Sequence, residues 1–185
     1  GIALMTHSDN KGLVLPPVIC ETQVVIIVIK PKDKVDQENV FNYAKFIEEE
    51  LLQNNIRVIL DNNDNETMGS KCNKYELQGI PVRLEVGLRD FNESSVILAR
   101  RDTLTKEKIT GSINSLPVKV LKVFNDVHNN LLSKATLRLL DSIVATKTKE
   151  EFTNNVANKK TCVINWCNID ECEKDIKTIH GVKSF

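Results

Sequence analysis

The sequence carries no excess of either charge: 25 lysines and arginines are balanced by 25 aspartates and glutamates in 185 residues. No global positive field exists to gather nucleic acid indiscriminately, so any such contact must come from local patterning. An apolar run long enough to span a bilayer is absent, as is a signal-peptide pattern. The five cysteines are an odd count without a dense framework, which argues against a secreted disulfide scaffold and sets a reducing, cytoplasmic setting as the expectation. There is no Walker lysine loop and no Gly-x-Gly-x-x-Gly. The three histidines lie far apart without a nucleophile signature beside them; His7 reads as a turn histidine and His128 as a packed or surface one.

Hydrophobic content of 41% and charged content of 27% suit a globular protein, and the length allows one ordinary domain plus a small one. Ile2–Met5 reads as a strand, His7–Gly12 as a polar turn, and a second short strand ends at Pro16-Pro17. Gln23–Ile29 is a β-branched run suited to a strand buried on both faces. A helix is predicted over 36–53, with Asp36 as N-cap, a stripe of Val40, Ala44, Ile47 and Leu51, and a stop at Asn54-Asn55. Arg57–Leu60 follows as a second buried strand, completing a β-α-β unit of parallel strands. A long helix opens near Ser115 and Pro117, with Leu121, Phe124, Val127, Leu131 and Ala135 as its core stripe. The pattern changes near Asp141. Thr148-Lys-Glu-Glu151 is a capping-box signature, Thr161–Trp166 reads as a strand, and Glu171–His180 as a helix closed by Gly181. Cys167 and Cys172 form a C-x4-C pair with Cys162 nearby; two sulfurs are half a tetrahedral zinc site.

The informative stretch is 69–101, G-S-K-C-N-K-Y-E-L-Q-G-I-P-V-R-L-E-V-G-L-R-D-F-N-E-S-S-V-I-L-A-R-R. Six basic and four acidic residues are dealt singly onto what read as ordered elements: a helix over 71–78 packing through Tyr75 and Leu77, a corner at Gly79, and strands over 81–86 and 96–101 joined by a turn at 90–93. The two strands pair as an antiparallel hairpin, so the sheet is mixed. Alternation puts Val82, Leu84 and Val86 on one face and Arg83 and Glu85 on the other. Periodicity leaves two readings open, an ion pair on a solvated sheet face or a polar surface that reads unpaired bases. Asp61 ends the second predicted strand, at the carboxyl edge where open α/β sheets place ligands.

Residues 69–90 resemble the anticodon-binding domain of prolyl-tRNA synthetases, with their Gly-Lys/Tyr-Lys-Phe-Asn-x-Trp-Glu-Leu-Arg/Lys-Gly-Ile/Val-Pro-x-Arg-Ile/Val-Glu-x-Gly-Pro-Arg/Lys-Asp pattern. Residues 1–17 resemble the last catalytic-domain strand of the same family, and Trp166-Cys167-Asn-Ile-Asp-Glu-Cys172 resembles the start of the C-terminal domain of its eukaryotic and archaeal type. The sequence departs from the pattern at Cys72 for Phe, Tyr75 for Trp, Gln78 for a basic residue and Leu88 for Pro. The departure at Gln78 removes one expected positive contact.

The resemblance implies an α/β anticodon-binding fold with a mixed sheet of about five strands flanked by helices, followed by a truncated small α/β domain. The implied limits are 1–20 for a catalytic-domain tail and linker, 21–140 for the anticodon-binding domain and 141–185 for a partial C-terminal domain. It implies a C-terminal fragment, inactive alone, of an ATP-dependent ligase that charges proline tRNA, with the catalytic domain upstream of Gly1. The implied partner is the anticodon loop of that tRNA, whose proline anticodons share two guanines. Proline, ATP and magnesium are expected only in the full enzyme, itself a homodimer, with neither DNA nor membrane as partner. Asp61, Glu76, Arg83 and Glu85 are the implied base-reading residues and Gln78 a hydrogen-bonding one, while Lys71, Arg89 and Arg101 would meet phosphates. Cys167 and Cys172 would be half of a zinc site whose second cysteine pair lies beyond this sequence. Three alternatives stand beside this one: the related domain of a threonyl, glycyl or histidyl synthetase, a free-standing accessory protein, and a small α/β enzyme using the crevice beyond Ile29 and Leu60.

Overall fold

The β-branched run Val24–Val28 forms β1, fully buried along its length, and the computed structural model, which describes residues 1–181, builds a five-stranded sheet around it. β2 (Val58–Asp61) and β3 (Val82–Val86) flank β1 in parallel, and β4 (Ser95–Arg100) and β5 (Lys106–Thr110) continue antiparallel, giving the order β2-β1-β3-β4-β5. The mixed sheet and flanking helices are those expected. β2 is, among the described residues, an edge strand whose Ile59 is exposed, not the buried strand its apolar sequence suggested.

Connecting β1 to β2 is α2 (Lys34–Gln53), whose Val40, Ala44, Ile47 and Leu51 are fully buried as the stripe predicted. Its N-cap is Asp33 rather than Asp36, since the Asp33 carboxylate accepts from the amides of Val35 and Asp36 and starts the helix earlier. The stripe meets Val24, Ile26, Val28, Val82, Leu84, Val86, Val96 and Leu98 in the main core. α3 (Met68–Gln78), capped by the Thr67 hydroxyl, covers Val25 and Ile27 on the opposite face through Tyr75, with Ile80 just beyond it; Leu77 points outward and is half exposed, contrary to its predicted packing role.

Three further elements differ from expectation. Ile2–His7 is a helix, α1, rather than a strand, with the Met5 amide donating to the Gly1 carbonyl and the Ser8 amide to that of Leu4. The predicted turn at 90–93 is a short helix, α4 (Leu88–Asn92), started by the Asp90 carboxylate accepting from the Gly87 amide. α5 (Leu116–Ser142) buries Leu116, Pro117, Val120, Phe124, Val127 and Leu131, so Leu121 lies outside the stripe it was assigned to.

Arg57, just before β2, ties residues 17–21 to the sheet. Its Nε donates to the carbonyls of Cys20 (2.9 Å) and Glu21 (3.2 Å), and its Nη2 to those of Pro17, Val18 and Cys20.

The chain divides into two compact units, Gly1–Leu132 and Ser133–Phe185. In the second, β6 (Ile143–Ala145) pairs in parallel with β7 (Thr161–Val163), a strand shorter than predicted, and α6 (Lys149–Ala157) begins at the predicted capping box. α7 (Asp170–His180) ends at Gly181 in the left-handed conformation, as expected. No helix among the described residues is long and apolar enough to cross a membrane.

Candidate nucleic-acid interface

Strand alternation and register decide which side chains share the face opposite α2. Arg83 pairs with Val25 on one side and Ala99 on the other, and Ala99 with Lys106, so these four form one row; Ile27, Glu85, Ile97 and Lys108 form the next. α3 covers the β1 end of both rows, leaving the β3-β4-β5 end as the polar part of the face. Here five charges alternate in sign. Lys11 Nζ lies 3.5 Å from Glu76 Oε2, and Glu76 Oε1 accepts from Arg83 Nη1 at 3.2 Å. Arg83 Nε donates to Glu85 Oε1 at 3.1 Å, and Lys106 Nζ reaches the same carboxylate at 2.7 Å.

The exposures along this chain grade outward. The Lys11 and Lys106 side chains are about half exposed (53% and 52%), whereas Arg83, Glu76 and Glu85 are 11%, 16% and 8% exposed. Each inner charge therefore keeps a small solvent-facing edge while holding at least one opposite charge. Removing any one would leave its neighbours partly desolvated and under-compensated. Swapping one for a ligand group of like polarity would not.

Asp61 and Lys71 sit deeper. Asp61 Oδ1 is 2.9 Å from Lys71 Nζ, its Oδ2 accepts from the Tyr75 hydroxyl at 2.8 Å, and all three residues are buried. Burial pushes the Asp61 carboxyl up, but the bonds from the Asn63 amide, Lys71 and Tyr75, with the Lys71 charge, outweigh it and hold the group below its usual range. Burial, and next the bond to Asp61, drive the Tyr75 phenol above its ordinary value. This trio fixes α3 to the end of β2.

Arg101 is likewise spent internally. Its side chain is 2% exposed, with Nη1 and Nη2 donating to Asp9 at 2.7 and 2.6 Å and Nε to the Glu76 carbonyl at 2.9 Å. Of the residues predicted from the sequence, then, Glu76, Arg83 and Glu85 come together at one surface, with exposed Gln78 at the end of the same helix. Asp61 and Lys71 brace the helix from within. Arg89 is exposed on α4, which packs beside α2 through a Tyr43–Phe91 edge contact, so it belongs to the opposite side of the sheet.

Three residues of this surface were not singled out from the sequence: Asp9, Lys11 and Lys106. Lys106 belongs to β5, whose Lys-Glu-Lys-Ile-Thr sequence has too little apolar alternation to announce a strand. Asp9 and Lys11 arrive from far along the chain, and only the tertiary fold brings them here.

In the second unit, Cys167 and Cys172 are exposed thiols bordering a groove of ≈ 580 Å³ that is also lined by Cys162, Ile164 and Trp166. The Cys167 thiol, by hydrogen bond and then charge, raises the Cys172 thiol above its ordinary range. No group of three or more histidine, cysteine or acidic side chains that could hold a metal ion occurs among the described residues.

Residues 23–122 match the model of the anticodon binding domain family, HGTP type. Over 181 residues the chain is 39% identical to a proline–tRNA ligase of Encephalitozoon cuniculi, covering 96% of this chain and 36% of that protein. It is 43% identical over 167 residues to the proline–tRNA ligase of Pyrococcus abyssi, covering 90% and 34%. The crystal structure of prolyl-tRNA synthetase from Cryptosporidium parvum with L-proline and AMP superposes with a TM-score of 0.87 at 36% identity, covering 96% of this chain and 38% of that one. The chain thus spans little more than a third of the length of these relatives.

Proposed function

The chain belongs to the anticodon binding domain family, and from that membership we propose that it is the C-terminal, anticodon-reading part of a proline–tRNA ligase. Residues 21–140 are the reading module, 1–20 the tail of a catalytic domain with its linker, and 141–185 part of a C-terminal domain. The catalytic domain activates proline with ATP and magnesium and charges the tRNA. The whole enzyme is a cytoplasmic homodimer, and zinc belongs to a fuller C-terminal domain, where Cys167 and Cys172 would be two of its ligands.

One observation carries the reading: the alternating chain Lys11–Glu76–Arg83–Glu85–Lys106 on a sheet face that its helix leaves partly open. A loop guanine presents acceptors at O6 and N7 on one edge and donors at N1 and N2 on the other. Arg83 meets the first need and Glu76 or Glu85 the second. Both kinds of group are already balanced in the free protein, so a base enters by exchanging partners rather than by stranding a charge. Lys11 and Lys106, the exposed ends of the chain, are the cations most easily released toward phosphate. Because the net charge is zero, selectivity rests on these few contacts, each worth about 1–3 kcal/mol of discrimination.

Arg83→Ala should weaken binding of the proline anticodon stem-loop by roughly tenfold or more, with little change for a stem-loop whose anticodon guanines are replaced. Filter binding with both RNAs decides it. Equal losses for the two would reduce Arg83 to a structural or phosphate-neutralising residue.

A further inference from the structure

Arg101 carries a charge suited to phosphate contact, yet the fold points it away from solvent. Its bidentate bond to Asp9 holds a turn in which the Asp9 and Gly12 backbones exchange hydrogen bonds at 3.1 Å and the Lys11 amide donates to Asp9 Oδ1 at 2.8 Å. The turn in turn rests on the end of α3: the Leu13 amide donates to the Leu77 carbonyl at 3.2 Å. Two glycines allow this approach. A Cβ on Gly12 (φ +124°) would lie 2.6 Å from the Leu77 Cα, and one on Gly79 (φ +75°) 2.6 Å from the Leu13 Cβ and 2.9 Å from its carbonyl carbon. Arg101 completes the joint from the other side, its amide donating to the Pro81 carbonyl at 2.9 Å and its Nε to the Glu76 carbonyl.

We infer that Asp9 and Arg101 form a clasp that sets the position of the last turn of α3, making Arg101 a positioning residue for Glu76 rather than a ligand of RNA. Glu76 is pinned by its backbone to the clasp and by its side chain to Arg83, so a shift of the turn would move a base-contacting carboxylate directly. The clasp also delivers Lys11 to the outer oxygen of that carboxylate. The fold thereby links residues 9–13 to the register of the reading surface. The inference rests on the functional reading above.

The decisive variant is Asp9→Asn, because the two roles of Arg101 predict opposite signs. If Arg101 is a clasp, the full 185-residue chain carrying Asp9→Asn should bind the proline anticodon stem-loop about tenfold more weakly and discriminate less against the guanine-replaced loop, with Asp9→Glu recovering part of both. If Arg101 is a latent phosphate contact, Asp9→Asn frees it, and affinity for both loops rises with a steeper salt dependence; that result overturns the clasp. Hydrogen exchange separates failure of this inference from failure of the functional reading. The amides of Leu13 and Arg101 should exchange faster in Asp9→Asn whether or not any RNA binds, and unchanged protection there also overturns the proposal. Wild-type protein that treats the two loops alike would overturn the functional reading instead, leaving the exchange result to decide the clasp.

Discussion

On β3, Leu84 and Glu85 are consecutive, yet one is fully buried with the α2 stripe and the other lies between an arginine and a lysine on the opposite face. The same holds on β1 and β4, where Ile26 and Leu98 face the main core while Ile27 and Ile97 turn the other way. A period of two lets a single sheet give one register of side chains to the apolar core and the other to a chain of paired charges. The two faces also differ in what tolerates change. A close-packed apolar face resists loss of volume, whereas a chain of paired charges resists loss of balance.

The sharpest way to break that division is a pair of neighbouring substitutions. Leu84→Ala should cost about 2–5 kcal/mol in urea unfolding, through lost burial and a cavity, while Arg83→Ala next to it should cost less than half as much. Comparable losses would mean that the charged face is as much a foundation as the apolar one. A slightly smaller effect is expected from Lys71→Met. The buried Asp61 carboxylate would lose its cation, at about 3 kcal/mol, and Asp61→Asn in the same molecule should return much of it. Failure of that second change to restore stability would show that Lys71 supports α3 by packing alone.

The smallest effect is set by pH. The bond from Arg101, aided by the Lys11 amide and the Arg101 charge and opposed by burial, lowers the Asp9 carboxyl from 3.8 to about 2. A depressed carboxyl stabilises the fold above its unfolded value and loses that contribution as pH falls through the folded one. The Asp9 contribution is therefore complete at pH 5 and disappears between about pH 4 and pH 2, and Asp9→Asn should flatten the stability profile in that window when melting is followed by circular dichroism. Asp61, also held low, should retain its slope there.

How much of this could be read without coordinates follows from the same division. The α2 stripe, the run at 24–28 and the alternation at 82–86 were legible because burial imposes a period on apolar residues. β5 was not, because an edge strand with its side chains in water needs no apolar pattern. Glu76, Arg83 and Glu85 stood out as isolated charges among apolar neighbours, and the fold gathers them. Lys71 and Arg101 looked the same in sequence, and nothing local distinguishes a cation aimed at solvent from one aimed at a buried aspartate. That distinction depends on Asp61 and Asp9, partners that only tertiary structure supplies.

The five bonds of Arg57 have a consequence for the start of the chain. A flat, rigid fork that claims four carbonyls ties residues 17–21 to the start of the rim strand β2, independently of the bonds that tie residues 9–13 to the end of α3. A lysine there would offer three donors from a single point and could not reproduce that spread. One side chain thus holds the short stretch after the two prolines at four carbonyls.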